Sequence, residues 1–281
     1  MIKKLFHDFH YLRDGNFRWC YSDKIYLPLI RKISHEFENM LIEKSSSKHS
    51  HISFSYDHPF TCPAPVFLKI QHARHIKQKI KETLGLKHKY YGYRFGIAEV
   101  LNLLKAKKTG INCPDIYAIG EVRKGLLIDS YIVILEYLSE YETLSDALDE
   151  AETDSAKQKL LDKTASVIND LFSNGIFHSD FSSKNIMFSP IKENTYKVVD
   201  FEYIRFLSEP NVSLLAFLLG YLYKKWCRRF IEEKMYDRWA YELIKRFPNT
   251  CDDKDVKTLY EQSKNQYFSR RQIIALVDSV T

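Results

Sequence analysis

Glycine is scarce in this chain, with 9 among 281 residues, and proline is no commoner, with 8. So little of either excludes a collagen-like or low-complexity disordered chain. The five cysteines, at positions 20, 62, 113, 227 and 251, form no Cys-x-x-Cys pair, and their number is odd. Zinc-ligand spacing is therefore absent and a disulfide framework is not expected; reduced thiols in a cytoplasmic protein are the simplest reading. No apolar run reaches the roughly 18 residues needed to span a bilayer. The most apolar stretch, Ser213 to Tyr223, reads as a buried helix. Met1-Ile-Lys-Lys-Leu-Phe has a basic start, but His7, Asp8 and His10 interrupt it, so no secretory leader is expected. No internal repeat is evident.

What is there is a chain rich in core-forming residues: 45% are hydrophobic, with 19 Tyr and 18 Phe, against 28% charged. That is enough for one large lobe or two small ones. The net charge of +6 is moderate. Basic clusters stand at Lys105-Ala-Lys107-Lys108, at Lys224-Lys225-Trp226-Cys227-Arg228-Arg229 and at Arg270-Arg271. A solvated helix face is the default explanation for such clusters. The second interleaves aromatics with cations, which also suits a phosphate-rich membrane surface or an anionic substrate. No nucleic-acid motif is present, and no nucleic-acid partner is expected.

The chain is organised around Gly175 to Glu202. It reads Gly-Ile-Phe-His178-Ser-Asp180-Phe-Ser-Ser-Lys184-Asn185-Ile-Met-Phe, a polar turn, then Tyr-Lys-Val-Val-Asp200-Phe-Glu202. Ile186 to Phe188 and Tyr196 to Val199 are short apolar strands, and Ser189 to Thr195 is the turn between them. Such a hairpin brings Asp180, Asn185 and Asp200 to one rim. Phosphoryl transfer needs that set: a carboxylate near the attacking hydroxyl and hard oxygen ligands for Mg²⁺. The spacing His-x-Asp-x-x-x-x-Asn, followed by an apolar strand and Asp-Phe, matches the catalytic and metal loops of kinases. Asp180 is then the catalytic group, Asn185 and Asp200 hold metal, and His178 is a scaffold residue. Asp-Phe-Glu or His-x-Asp alone means nothing; the ordered set carries the reading.

Upstream, Asp14-Gly15 is a hairpin signal between two short strands. A helix is expected from about Leu29 to Lys44 and a strand from Ile52 to Tyr56. Val66-Phe-Leu68-Lys69-Ile70 is an apolar strand with a lysine inside it, costly unless that charge has a partner. The third strand of kinase folds carries such a lysine, which binds the α and β phosphates and pairs with a glutamate on the next helix. Glu99, on an amphipathic helix from Tyr93 to Lys107, is the first candidate, and Glu82 the second. Strands follow at Pro114 to Val122 and Leu126 to Leu138. The latter ends Glu136-Tyr-Leu138, like the hinge whose backbone at Glu136 and Leu138 would bind adenine. Helices are expected at Leu144 to Asp149, Ser155 to Ser173, Val212 to Tyr223, Trp226 to Arg246, Asp252 to Gln266 and Ser269 to Ser279.

This order resembles a protein-kinase-like α+β fold. It implies a β-rich N-terminal lobe with one key helix over 1–137 and a mainly helical C-terminal lobe over 138–281. More narrowly the chain resembles the bacterial lipopolysaccharide core kinases, the WaaP and Kdo-kinase group. Phe67-Leu-Lys69-Ile70, the basic stretch Lys77 to Lys89, Arg94, Glu99, Leu135-Glu-Tyr-Leu138, Gly175 to Asp180 and Val199 to Arg205 carry that resemblance. It implies ATP as donor, Mg²⁺, a heptose or Kdo hydroxyl of the inner core as acceptor, and work at the cytoplasmic face of the inner membrane, with possible peripheral contact there.

The chain departs from the protein-kinase pattern in four ways. No Gly-x-Gly-x-x-Gly precedes Lys69, so Ser45 to Ser50 or Asp57 to Pro65 would cover the phosphates. Ser182 stands where many kinases acting on Ser or Thr place Lys. Glu202 replaces the glycine of Asp-Phe-Gly, and no Ala-Pro-Glu segment follows. The last absence favours a sugar or small-molecule acceptor over a protein. The alternatives are an aminoglycoside or choline kinase-like enzyme, which would want an acidic pocket, and a pseudokinase without turnover.

Overall fold

The computed structural model describes residues 2–44, 51–56, 65–73, 75–87, 95–247 and 253–280. The chain divides into two compact units. The first comprises Met1–Lys105 and Pro114–Leu138; the second comprises Ala106–Cys113 and Ser139–Thr281.

The first unit opens with a helical turn, α1 (Ile2–Leu5), and a hairpin of β1 (His10–Asp14) and β2 (Phe17–Tyr21). Gly15 takes φ +54 at the hairpin tip, the left-handed conformation that the Asp-Gly pair supplies. Then come α2 (Leu27–Lys44), β3 (His51–Tyr56), β4 (Val66–His72), α3 (Ile76–Thr83), α4 (Phe95–Lys108, whose last three residues fall in the second unit), β5 (Ile116–Lys124) and β6 (Leu127–Glu136). The strands form one sheet in the order β1-β2-β5-β6-β4-β3, every pairing antiparallel.

Strand alternation splits the residues of this sheet between two faces. Val66, Leu68 and Ile70 of β4 and Ile132 and Ile134 of β6 join Trp19 in a core closed by Leu29, Ile30, Ile33 and Phe37 of α2. Those α2 positions recur at helical spacing, which is why the sequence pattern located the helix. Trp19 faces Gly120 across β2 and β5, and a Cβ on Gly120 would meet the indole at 2.6 Å. Lys69 and Gln71 alternate to the other face, beside their cross-strand partners Val133 and Tyr131. A Cβ on Gly96, in the first turn of α4, would meet Val133 Cγ2 at 2.3 Å, so only glycine lets α4 come this close to the sheet.

The second unit contains β7 (Glu142–Thr143), α5 (Leu144–Glu150), α6 (Asp154–Ser173), β8 (Ile176–His178), β9 (Ile186–Phe188), β10 (Tyr196–Val198), β11 (Ile204–Phe206), α7 (Val212–Lys225), α8 (Glu233–Lys245), α9 (Asp253–Asn265) and α10 (Arg270–Val280). Thr143, Thr153 and Asn211 cap α5, α6 and α7, each accepting a hydrogen bond from a first-turn amide. The continuous helix expected from Trp226 to Arg246 is broken. Cys227–Arg229 form a single 3-10 turn, and α8 begins only at Glu233. The Phe230 and Ile231 amides both bond back to the Cys227 carbonyl. Cys227 and Ile231 are thereby buried in a tight turn rather than on a helix face. The strand pair β8–β11 was not foreseen in the sequence; each strand has three residues, too few to show a period. Cys20, Cys113 and Cys227 are buried.

Candidate active site

In the first unit Lys69 Nζ lies 2.6 Å from Glu99 Oε1. The pair follows from the two preceding facts. Alternation sends Lys69 to the α4 face of the sheet, and Gly96 lets α4 lie close enough for Glu99, one turn on, to meet it. Glu99 is buried to 1% exposure, so its charge is held by this contact in a poorly solvated place. Glu82, the second candidate, is a buried residue of α3. Glu136 ends β6, where its backbone amide bonds Asp115 O at 2.8 Å and its carboxylate accepts the Asp115 amide at 3.0 Å. Leu138 follows, half-buried, beyond the strand.

In the second unit α6 delivers the chain to Gly175, at φ +63, and on into β8. A Cβ there would lie 2.8 Å from the Leu207 carbonyl, and the Leu207 amide bonds Gly175 O at 2.7 Å. The loop after β8 is tied on every side. The Ser179 amide and hydroxyl both donate to Tyr203 O, at 3.0 and 2.5 Å. The Phe181 amide bonds His178 O, the Ser145 amide bonds Ser183 O, and the Asn185 amide bonds Ser182 O. Phe181 and Phe201 pack edge-on against the His178 ring.

Three contacts assemble the polar rim. The Val199 amide donates to the Asn185 carbonyl at 2.9 Å, one step beyond the Ile186–Val198 pair of the β9–β10 hairpin. This puts Asn185 and Asp200 at the same open end. Asn185 Nδ2 donates to the Asp180 carbonyl at 3.0 Å, tying the amide to the loop. The His178 ring, through Nε2, holds the Val199 carbonyl at 3.2 Å, beside Asp200. Burial, the largest influence, pushes the His178 pKa down against the pull of Asp200, the Val199 carbonyl and Asp180. The imidazole is therefore neutral, with Nε2–H as donor. Asp200 itself sits at φ 63, ψ 59, a left-handed conformation rare outside glycine, asparagine and aspartate. Backbone strain of this kind is characteristic of functional loops.

The Asp180 carboxylate has two cationic neighbours that sequence reasoning did not assign to it. Lys225 Nζ, at the end of α7, is 3.4 Å from Oδ1, and Arg270, in the first turn of α10, is 3.3 Å from Oδ2. The signal available in the sequence was only that both lie in basic clusters. The Lys69–Glu99 contact and the Asp180–Asn185–Asp200 rim thus belong to different units. Lys89 and Arg94, which carry part of the family resemblance, lie outside the described residues, as do the segments 45–50 and 57–64, candidates for covering the phosphates.

Asn185 and Asp200 offer one amide oxygen and one carboxylate. This suits Mg²⁺, which binds through one or two carboxylates and completes its shell with water and phosphate oxygens. Among the described residues no group of three or more His, Cys, Asp or Glu forms a self-sufficient metal cage. No helix of the described residues is long and apolar enough to cross a membrane.

A sequence model described as the lipopolysaccharide kinase (Kdo/WaaP) family matches residues 68–208. Among solved structures, one described as WaaP in complex with acyl carrier protein is similar over 83% of this chain and 85% of that one, with a TM-score of 0.50 and 13% identity. At that identity the likeness speaks to the fold alone. A search of curated protein sequences finds no match.

Proposed function

The chain belongs to the lipopolysaccharide kinase (Kdo/WaaP) family and is a phosphotransferase acting on a sugar of the lipopolysaccharide core; within that activity we propose that Asp180 is the catalytic carboxylate, Asn185 and Asp200 the metal ligands, and Lys69 with Glu99 the phosphate-binding pair. The acceptor is a heptose or Kdo hydroxyl, and the donor is ATP. One observation supports the reading: the Val199–Asn185 backbone hydrogen bond, which leaves residues 185 and 200 at the same end of a short hairpin entered by the Asp180 loop.

In the proposed reaction the acceptor hydroxyl loses its proton toward Asp180 as its oxygen bonds the γ-phosphorus of ATP. The bond from that phosphorus to the β,γ-bridging oxygen breaks, and ADP leaves. Mg²⁺, when bound, would neutralise charge on the phosphate oxygens. Glu99 keeps the Lys69 ammonium in place for the phosphates. His178 holds the backbone on which Asp200 stands and exchanges no proton with substrate. The backbone at Glu136 and Leu138 is the proposed adenine contact. Peripheral contact with the cytoplasmic face of the inner membrane fits a glycolipid acceptor and the basic clusters.

Phosphate incorporation from ATP into purified core glycolipid tests this. Asp180→Ala should abolish incorporation while leaving ATP binding intact. A wild-type rate in that variant refutes the assignment of Asp180.

A further inference from the structure

The cations at Asp180 line a pocket of about 140 Å³ whose walls include Ser179, Tyr221, Phe268 and Ile273. Neither Asn185 nor Asp200 is among its walls. Lys225 and Arg270 reach it from two helices distant in sequence. Each is partly exposed, at 33% and 42%, so each is open to a ligand from solvent. Their contacts with Asp180, at 3.4 and 3.3 Å, are long for charged hydrogen bonds, which close to about 2.7–2.9 Å when fully engaged.

Both side chains are held from behind. The Arg270 guanidinium carbon lies over the Tyr203 ring at 3.7 Å, which braces the side chain that lines the pocket. Lys225 lies over the Tyr221 ring at 5.1 Å, and the Tyr221 hydroxyl is anchored on Phe268 O at 3.3 Å. Burial pulls the Lys225 pKa down, but Tyr221 and Asp180 more than offset it, and the ammonium stays charged. Two cations against one carboxylate leave the pocket a net positive charge.

We propose that Lys225 and Arg270 form an oxyanion subsite for the acceptor, binding a carboxylate or phosphate carried by the glycan and so presenting the neighbouring hydroxyl to Asp180. This rests on the kinase reading above. The anion draws both cations forward from Asp180, which frees that carboxylate to accept the hydroxyl proton. This pair of cations also substitutes for the lysine that many kinases carry where this chain has Ser182.

The test crosses protein variants with acceptor chemistry. Transfer rates from ATP are measured on deacylated core oligosaccharide, on the same glycan with its carboxylates reduced to alcohols, and on the phosphatase-treated glycan. Wild-type protein should lose about 10- to 100-fold in kcat/KM on whichever treated glycan lacks the recognised anion, as loss of charged hydrogen bonds implies. K225Q and R270Q should lose a similar factor on the native glycan, through acceptor KM, and little further on the treated one. K225R should recover part of the loss. Variants that lose equally on all three glycans overturn the proposal. So does a rise in KM for ATP with acceptor KM unchanged, since it assigns the cations to the donor phosphates. If wild-type protein phosphorylates none of the three glycans, the kinase reading fails. The subsite is then judged by titrating inorganic phosphate into the full chain and following the amide resonances of Ser179, Tyr221 and Ile273. Shifts that K225Q/R270Q abolishes support the subsite; shifts unchanged in that variant, or none in wild type, sink it.

Discussion

Glu99 Oε1 stands 2.6 Å from the Lys69 ammonium, with the carboxylate buried and the lysine one-fifth exposed. The two are therefore not equivalent under mutation. Lys69→Met takes this cation away from a buried carboxylate and should cost on the order of 3 kcal/mol of stability, the usual result of breaking a buried pair from one side. Lys69→Met/Glu99→Gln removes both charges and should recover much of that loss without restoring transfer. Chemical denaturation of the two variants beside wild type, with phosphate incorporation run in parallel, checks both expectations.

Asp200 separates backbone from chemistry. At φ 63 the residue needs a left-handed conformation, which asparagine tolerates and alanine does not. Asp200→Asn should keep wild-type stability and lose transfer by several orders of magnitude, with the remaining activity requiring far more Mg²⁺. Asp200→Ala should lose the same activity and about 1 kcal/mol of stability besides. Equal Mg²⁺ dependence in Asp200→Asn and wild type would remove Asp200 from the proposed metal ligands.

His178 sets an acid limit. Its pKa is lowered in the fold by burial, below the usual 6.5 that it regains on unfolding. Between these two values the unfolded chain binds a proton that the folded chain does not, so stability is full above about 6.5 and falls as pH drops toward the folded pKa. Thermal melts of His178→Gln should show a lower Tm at neutral pH, and a smaller drop between pH 7.5 and 5.5 than wild type. An undiminished drop would locate the acid sensitivity elsewhere.

Gly220 is where α7 meets α9. An added Cβ would lie 2.1 Å from Ser263 Oγ and 2.4 Å from the Tyr260 carbonyl, and a backbone carbonyl cannot rotate away. Gly220→Ala should destabilise by about 3 kcal/mol, the upper end for overpacking. Gly15→Ala, with open space around the Cβ and only a left-handed φ to sustain, should cost about 1 kcal/mol. Comparing the two by denaturant unfolding tests the close helix contact against simple backbone strain.

Local patterns along the chain were enough to read the α+β class and most element positions, and they singled out the loop from His178 to Asp200 as resembling that of kinases. Alternation along Val66 to Ile70 and helical spacing along Leu29 to Phe37 are local periods, and a period can be read without knowing its partner. The ordered His178, Asp180, Asn185 and Asp200 are equally local, since they fall within 23 consecutive residues, on β8, the loop after it and the two ends of one short hairpin. Tertiary structure alone decided the rest. Gly96 brings α4 against Val133 and so selects Glu99 for Lys69, and only the packed sheet shows that proximity. Lys225 and Arg270 meet Asp180 from positions 45 and 90 residues away. Each looked like part of a solvated basic cluster, because a charge shows no period and its partner is fixed only when distant helices pack.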